Sequence, residues 1–136
     1  MFITFTKEEG RVPVTVLHLH GNLDASNYTE MIEKAQEAYE SGARDLLVDL
    51  SKVPYMSSAG LMSLHTVALI FAGKSGQAPG SGRASFRALD PQRDQAAREH
   101  VKLLSPQPQV DQLLEMVGLQ QFFQVFDDLE NAILSF

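Results

Sequence analysis

Two adjacent serines, Ser57 and Ser58, occupy the position in this 136-residue chain that best suits a chemical role. They follow a short apolar run at 46–50 and a loop, and they precede an apolar pattern with helical spacing. A serine at the start of a helix accepts a hydrogen bond from a free backbone N–H and so caps the helix. A hydroxyl there is also a good phosphoacceptor, because the free N–H groups and the helix dipole would hold a phosphate. The spacing therefore predicts either a structural cap or a phosphorylation site.

Other candidate motifs lack a residue that their chemistry requires. His18 and His20 share one face of a predicted strand, but the sequence offers no third zinc ligand, and a half-solvated sheet face explains the pair equally well. The run at 73–75 is similar to the end of a phosphate-binding P-loop, yet Ala68 stands where the earlier glycine is needed. There is no nucleophile elbow, and the absence of cysteine excludes thiol catalysis and disulfides. We therefore expect no catalytic residue, no metal and no cofactor.

Composition and charge narrow the class of protein. Hydrophobic residues make up 44% of the chain and charged residues 21%, which is typical of a globular domain. The 17 acidic and 11 basic residues give a formal net charge of −6, which argues against nucleic acid and against a polybasic membrane patch. The start of the chain does not have the pattern of a signal peptide, and the longest weakly polar stretch is shorter than the ~20 residues of a membrane span. We therefore expect a cytoplasmic protein with no nucleic-acid and no membrane partner.

The elements that must position the two serines alternate between strands and helices. Period-2 patterns and short apolar runs predict strands at 2–6, 12–20, 46–50, 101–104 and 124–126. Apolar residues at helical spacing predict helices at 28–39, 58–71, 110–117 and 127–136. Asn27 and Asp127 are the predicted caps, Gly118 is a predicted stop, and Pro13 favours a strand start or an edge position. This order implies parallel βαβ units after an opening antiparallel hairpin.

Residues 74–100 interrupt this alternation. Their first part is rich in Gly, Ser and Pro, which is typical of a flexible loop, and the stretch at 92–100 has the polar pattern of a short helix without an apolar face. We therefore expect one domain, 1–136, with an inserted loop at 74–100. Replacing residues 75–98 with a short Gly-Ser link should lower the free energy of unfolding by less than ~2 kcal/mol in urea melts.

Three segments give the chain a resemblance to a known family. The run Met-Ser-Ser-Ala-Gly-Leu at 56–61 resembles the phosphorylation site of the anti-sigma factor antagonists, the STAS domains of bacteria, which usually carry Asp-Ser-Ser-Gly-Leu after a hydrophobic strand. The segment Gly-Asn-Leu-Asp-Ala at 21–25 is similar to the family's turn before the first helix, and residues 104–119 to its later loop and third helix. Ser58 falls on the phosphoacceptor. Ser57 replaces the usual acid and becomes a rival acceptor, and Ala59 replaces the second serine.

The resemblance implies a fold, a function and a set of partners. The fold is α/β, a single STAS-like domain with a mixed sheet of about five strands and about four helices. The function is that of a non-enzymatic regulator of transcription, which binds an anti-sigma factor that is also a serine protein kinase and so releases a sigma factor. Phosphorylation of Ser58 ends that binding, and a serine phosphatase restores it. The implied partner-binding residues are Asn22, Asp24, Ser57, Ser58, Gly60 and Leu61.

Two alternatives stay open beside this partner-switching role. The first is a STAS scaffold or ligand-sensing subunit that is not phosphorylated, part of a signalling or lipid-transport assembly, because Ser57 and Ala59 depart from the family's motif. The second is a small hydrolase with Ser58 as nucleophile, although no adjacent base is evident. If Gly60 follows the acceptor inside the first helical turn, it allows a partner or phosphate to approach closely. Gly60→Ala should then leave stability unchanged or slightly raised, because alanine favours helix, and should weaken partner binding.

Overall fold

The computed structural model describes residues 2–72 and 99–136, which fold into one mixed sheet with helices on both faces. The strands are β1 (Phe2–Glu9), β2 (Pro13–His20), β3 (Leu46–Lys52), β4 (Val101–Leu104) and β5 (Val125–Phe126). The helices lying wholly within the described ranges are α1 (Tyr28–Glu40), α2 (Ser58–Phe71), α3 (Pro108–Met116), α4 (Leu119–Phe122) and α5 (Leu129–Leu134). The predicted α/β class with a mixed five-stranded sheet is therefore confirmed.

The strands follow one another across the sheet in the order β1-β2-β3-β4-β5. β1 runs antiparallel to β2, and every later pair is parallel. Pro13 is the first residue of β2, an interior strand, where its missing N–H leaves the ladder intact, so the predicted strand start is correct. Because β2, β3 and β4 are parallel, the loops that leave their carboxyl ends all emerge at one edge of the sheet.

One face of the sheet is covered by α1, α2, α3 and α4. Side chains that alternate along the strands, such as Leu17 in β2 and Val48 in β3, share a core with Met31 of α1, Leu64 of α2 and Leu114 of α3. α2 is buried around most of its circumference, as its continuous apolar sequence requires. No helix within residues 2–72 and 99–136 is long and apolar enough to cross a membrane.

The opposite face is covered in part by α5. Val14 and Val16 of β2 and Leu47 of β3 pack there against Ala132 and Ile133 of the helix. Because the side-chain period of a strand is two, these valines point away from the leucines of the same strand that fill the first core. The alternation that the sequence shows in β2 thus divides the residues of one strand between two hydrophobic cores.

A buried lysine fastens the end of α5 to the sheet. Lys102 in β4 is only 4% exposed, and its ammonium group donates hydrogen bonds to the carbonyl (2.9 Å) and the hydroxyl (3.0 Å) of Ser135. The same group lies 4.6 Å from the centre of the Phe136 ring. A cation at the carboxyl end of a helix is favourable, because it offsets the negative end of the helix dipole. Lys102 therefore joins the carboxyl end of α5 to β4.

The structure differs from the prediction in one additional helix and in one helix cap. The helix predicted at 110–117 runs from Pro108 to Met116, and Gly118 follows it in a left-handed conformation (φ 81°), as a stop would. The chain then forms the short helix α4, which was not predicted. The last helix is capped by Asp128, whose carboxylate accepts a hydrogen bond from the Asn131 N–H (3.0 Å), so the predicted cap at Asp127 is wrong by one residue. Neither difference alters the position of the serines at the carboxyl ends of the parallel strands.

The predicted insert at 74–100 lies outside the described residues, apart from Glu99 and His100. These two residues are helical and lead directly into β4. His100 Nδ1 lies 2.8 Å from a carboxylate oxygen of Asp45, which precedes β3. This contact joins the start of β4 to the start of β3 at the edge of the sheet opposite the serines.

Candidate functional site

The loops that follow β2 and β3 are joined by backbone hydrogen bonds. The Gly21 N–H donates to the Lys52 carbonyl and the Leu23 N–H to the Tyr55 carbonyl, each at 3.0 Å. The Ser57 N–H then donates to the Leu23 carbonyl at 2.9 Å, so that the backbone of Leu23 bonds to the residues on either side of Met56. Gly21 has φ 106°, a conformation that favours glycine and turns the chain after β2. The turn at 21–27 is therefore held against the start of α2.

Ser57 and Ser58 have different positions at the amino end of α2. Ser57 is the N-cap residue, and its side-chain oxygen accepts a hydrogen bond from the Gly60 N–H at 3.4 Å. Ser58 is the first residue of the helix and is exposed. Its hydroxyl makes no hydrogen bond to any residue in the ranges 2–72 and 99–136. One serine is thus engaged as the helix cap, while the other presents a hydroxyl to solvent at the positive end of the helix dipole.

Gly60 is buried, and its lack of a side chain lets α2 approach the turn after β2. A Cβ atom at this position would lie 2.6 Å from the Leu23 carbonyl oxygen and 2.6 Å from Met56 Cγ. Real Cβ atoms essentially never lie that close to another heavy atom, so a side chain here must displace the backbone of Leu23. The expectation that Gly60→Ala leaves stability unchanged or raises it is therefore wrong, because the space beside Gly60 is filled by the protein itself.

The turn that carries Asn22 and Asp24 is ordered by its own side chains. The Ser26 hydroxyl and the Ser26 N–H donate to one Asp24 carboxylate oxygen at 2.6 and 3.0 Å. These two hydrogen bonds lower the pKa of Asp24 below its usual value, so the group is a carboxylate at neutral pH. Asn27, the N-cap of α1, does not cap the helix with its side chain: its amide accepts from the Asp24 N–H (2.9 Å) and donates to the Asn22 carbonyl (2.8 Å).

The sequence-derived site residues divide into exposed and buried groups. Asn22 and Ser58 are exposed, Asp24 and Ser57 are partly exposed, and Leu61 is buried in the core below the start of α2. The structure therefore brings the turn after β2 and the start of α2 together, as the motif spacing suggested. Gly60 and Leu61 can act on this surface only by positioning its backbone, because their own atoms are covered.

Tyr55 is an additional surface residue that the sequence reasoning missed. It lies in the loop between β3 and α2, between Pro54 and Met56, and its side chain is 52% exposed. Its carbonyl accepts the hydrogen bond from Leu23 described above, which fixes the backbone from which the ring projects. An aromatic residue beside a proline in the loop before the serines was the only signal in the sequence. Large exposed aromatic side chains are enriched in protein interfaces.

His18 and His20 have separate partners on the sheet face. His18 Nδ1 lies 2.7 Å from the Asp49 carboxylate, and its Nε2 lies 2.9 Å from the Thr6 hydroxyl, which links three neighbouring strands. His20 packs edge-on against Phe2, with 5.3 Å between ring centres. Within residues 2–72 and 99–136 there is no group of three side chains able to hold a metal ion. We assign these contacts a structural role in joining β1, β2 and β3.

Burial and hydrogen bonding compete at Asp49. Its partial burial opposes ionisation, but hydrogen bonds from the Ser51 backbone N–H, the Ser51 hydroxyl and His18 outweigh it and lower the pKa of Asp49 below the usual value. Asp49 is in β3, the strand that leads into the serine-bearing loop. Its ionised carboxylate therefore supports the strand that positions the site.

Comparison with known proteins points to one family. A family model described as Mlab, STAS domain matches residues 8–77, a range that contains both loops of the site. No curated protein matches the sequence significantly.

Solved structures with the same fold are distant in sequence. A candidate anti-sigma factor antagonist from Thermotoga maritima is 15% identical, with a TM-score of 0.66 over 96% of this chain and 91% of that one. An anti-sigma factor antagonist from Mycobacterium paratuberculosis is 18% identical, with a TM-score of 0.61 over 97% and 92%. The anti-sigma factor antagonist SpoIIAA in its unphosphorylated form is 19% identical, with a TM-score of 0.58 over 96% and 93%. At these identities the likeness concerns the fold.

Proposed function

Because the chain belongs to the STAS domain family, we propose that it is an anti-sigma factor antagonist controlled by phosphorylation of Ser58. In this proposal the protein binds an anti-sigma factor that is also a serine protein kinase, and the complex releases a sigma factor in the bacterial cytoplasm. Phosphate on Ser58 ends the binding, and a serine phosphatase restores it. The proposal assigns the chain no catalytic step and no cofactor. The observation that carries it is the exposed hydroxyl of Ser58 at the start of α2, beside the ordered turn of Asn22 and Asp24.

Ser58 is a better acceptor than Ser57 for a geometric reason. The Ser57 hydroxyl accepts the hydrogen bond of the Gly60 N–H, so a kinase would have to draw it away from the end of α2 and break the cap before phosphate could be transferred. Losing a serine cap typically lowers stability by about 1 kcal/mol. The Ser58 hydroxyl has no such task among the described residues and faces solvent. A kinase can therefore reach it without first opening the helix.

A phosphate on Ser58 would change the surface more than the fold. It adds about −1.5 to −2 charges at a helix amino terminus, where the dipole stabilises a negative group. The neighbouring turn already carries the Asp24 carboxylate, which is held ionised by Ser26. The modified surface would be more negative, and a partner that covers it would have to desolvate that charge. A desolvated charge without a partner typically weakens binding by several kcal/mol.

The proposal can be tested with two substitutions at Ser58. Ser58→Asp should melt within a few degrees of the wild type but bind the anti-sigma kinase at least a hundredfold more weakly by calorimetry, which corresponds to about 3 kcal/mol. Ser58→Ala should bind like the wild type and take up no phosphate. Ser41→Asp is a matched control, because it adds the same charge at the exposed carboxyl end of α1, away from the serines, and should leave binding unchanged.

The results would also separate the proposal from its alternative. Wild-type affinity for Ser58→Asp would contradict the proposed switch. Phosphorylation of Ser58→Ala would move the acceptor to Ser57 or elsewhere. If neither the wild type nor Ser58→Ala took up phosphate and both bound a partner equally, the chain would be a STAS scaffold that is not controlled at this site.

A further inference from the structure

β1 is an edge strand whose outer side pairs with no other described strand. The sheet begins with β1 and ends with β5, and β1 is bonded only to β2. An unpaired edge presents a row of free N–H and C=O groups to which another strand can bind. β5 has only two residues and offers little to pair with, whereas β1 has eight. The free edge of β1 is therefore the longer of the two by far.

The first half of β1 lacks the features that usually protect an edge. Phe2–Thr6 contains no charged residue and no proline, and its pairing with β2 runs without a bulge. Both of its aromatic side chains are exposed, Phe2 by 63% and Phe5 by 39%. The charged residues of the strand, Lys7, Glu8 and Glu9, all lie in its second half. Natural edge strands usually carry charge, proline or a bulge to prevent pairing with another chain.

A groove lies beside β1 from Phe5 to Glu9, where the uncharged half of the strand passes into the charged half. It has a volume of about 650 Å³ and is lined by Phe5, Lys7 and Glu9 of β1, by Ala38 of α1 and by Arg44 in the loop that follows α1. The helix layer therefore leaves the outer strand partly uncovered, and apolar surface of Phe5 faces the opening. A strand added beside β1 would extend the sheet and continue this surface.

We propose that the free edge of β1 pairs with β1 of a second copy of this chain, in antiparallel orientation about a two-fold axis at Thr4. Such an axis stands perpendicular to the sheet, so each residue lies opposite a residue whose side chain is on the same face. Because side chains alternate between the faces, the axis must pass midway between one residue and its own copy. Centred on Thr4, the two copies place Ile3 opposite Phe5 and Phe2 opposite Thr6, and Thr4 opposite itself. Aromatic and β-branched cross-strand pairs and Thr–Thr pairs are favourable.

Registers centred further along β1 are less favourable because they bring charge into the seam. An axis at Phe5 would set Lys7 opposite Ile3 and Glu8 opposite Phe2. An axis at Thr6 would set Lys7 opposite Phe5. Only the axis at Thr4 pairs Phe2–Thr6 throughout and leaves the charged half of each β1 outside the seam. Because the net charge of −6 makes the copies repel one another over longer distances, added salt should strengthen the association.

The test is sedimentation velocity between about 5 µM and about 500 µM protein, a range that resolves a weak dimer. The wild type should shift from the mass of the chain, 15.0 kDa, toward twice that value as concentration rises. Thr4→Lys and Thr4→Glu should each remain monomeric, because like charges would meet at the axis. An equimolar mixture of the two should associate again, because Lys then meets Glu. Thr29→Lys, an exposed substitution on α1, is the matched control and should behave like the wild type.

Each other outcome contradicts the proposal. A wild type that stays monomeric at the highest concentration would show that the edge does not pair with its own copy. Association of the single Thr4 variants would place the interface elsewhere, and failure of the mixture to associate would exclude the axis at Thr4. Amide hydrogen exchange of the wild type gives a second measurement that needs no substitution. Exchange within Phe2–Thr6 should slow as concentration rises, and exchange independent of concentration would overturn the proposal.

Discussion

Gly60→Ala tests how closely α2 approaches the turn after β2. The added Cβ would lie 2.6 Å from the Leu23 carbonyl oxygen, a backbone atom that accepts the Ser57 N–H bond. Met56 Cγ, also at 2.6 Å, belongs to a flexible side chain and can move aside. The Leu23 carbonyl cannot move without stretching its hydrogen bond to Ser57. The substitution therefore forces the start of α2 away from the turn that carries Asp24.

Two opposing contributions set the expected size of the effect. Overpacking of this kind lowers the free energy of unfolding by about 1–3 kcal/mol. Replacing a helical glycine with alanine raises it by up to about 1 kcal/mol. We expect the clash to dominate and the net loss to be about 1–2 kcal/mol. For a domain of this size that corresponds to a fall in melting temperature of roughly 3–7 °C.

The measurement is urea unfolding of Gly60→Ala beside the wild type. The midpoint should fall with no change in the denaturant slope, because the surface exposed on unfolding is nearly the same. Ala59→Gly is the control, since it removes a Cβ in the same helical turn and reports helix propensity without a clash. An unchanged or raised midpoint for Gly60→Ala would refute the close packing of Gly60 on Leu23.

Four further substitutions separate structural from functional side chains. Ser57→Ala should lower the free energy of unfolding by about 0.5–1 kcal/mol in urea melts, because the cap of α2 is lost, while Ser58→Ala should change it by less than about 0.5 kcal/mol; equal losses would contradict this division. Because the pKa of Asp49 is lowered in the folded state, its contribution to stability is complete above the unfolded pKa of about 3.9 and is lost as pH falls through the folded value. The stability lost in Asp49→Asn should thus be larger at pH 7 than at about pH 3 in urea melts, and equal losses would contradict the sign. Tyr55→Ala should weaken binding of the anti-sigma kinase by about tenfold or more in calorimetry with little change in melting temperature, and unchanged affinity would remove Tyr55 from the interface.

The sequence predicted the order of elements well because its patterns are local. In β2 the period-2 pattern assigns Val14 and Val16 to one face and Leu17 and Leu19 to the other, and the structure places these pairs in separate cores. Pro13 gave the start of the strand. Such signals depend on the period of the chain itself, which side-chain geometry fixes before any distant contact forms.

Contacts between distant segments could not be read from the same patterns. The sequence predicts that Gly60 lets a partner or phosphate approach and tolerates alanine, because nothing in it shows that Leu23 lies against this glycine. Asn27 has the sequence of a cap, yet its amide bonds to the preceding turn, a choice that depends on how that turn folds back. His18 and Asp49 are separated by 31 positions and meet only through the parallel register of β2 and β3.

The two serines cannot be told apart from local sequence patterns alone. The motif at 56–61 contains both, but local sequence does not say which hydroxyl caps the helix. The geometry distinguishes them: the Ser57 oxygen accepts the Gly60 N–H, and the Ser58 hydroxyl faces solvent. Ser57 therefore has a structural task that accounts for its presence, and Ser58 is the serine for which the proposed function supplies a role.

Phosphosite mapping of the protein recovered from its native cell tests whether Ser58 is the residue that switches binding. Mass spectrometry can distinguish phosphate on Ser58 from phosphate on Ser57, because fragmentation between the two residues separates them. We expect a phosphorylated fraction with the phosphate on Ser58 alone. Phosphate on Ser57, or a protein that carries none while its anti-sigma factor holds the sigma factor, would contradict it.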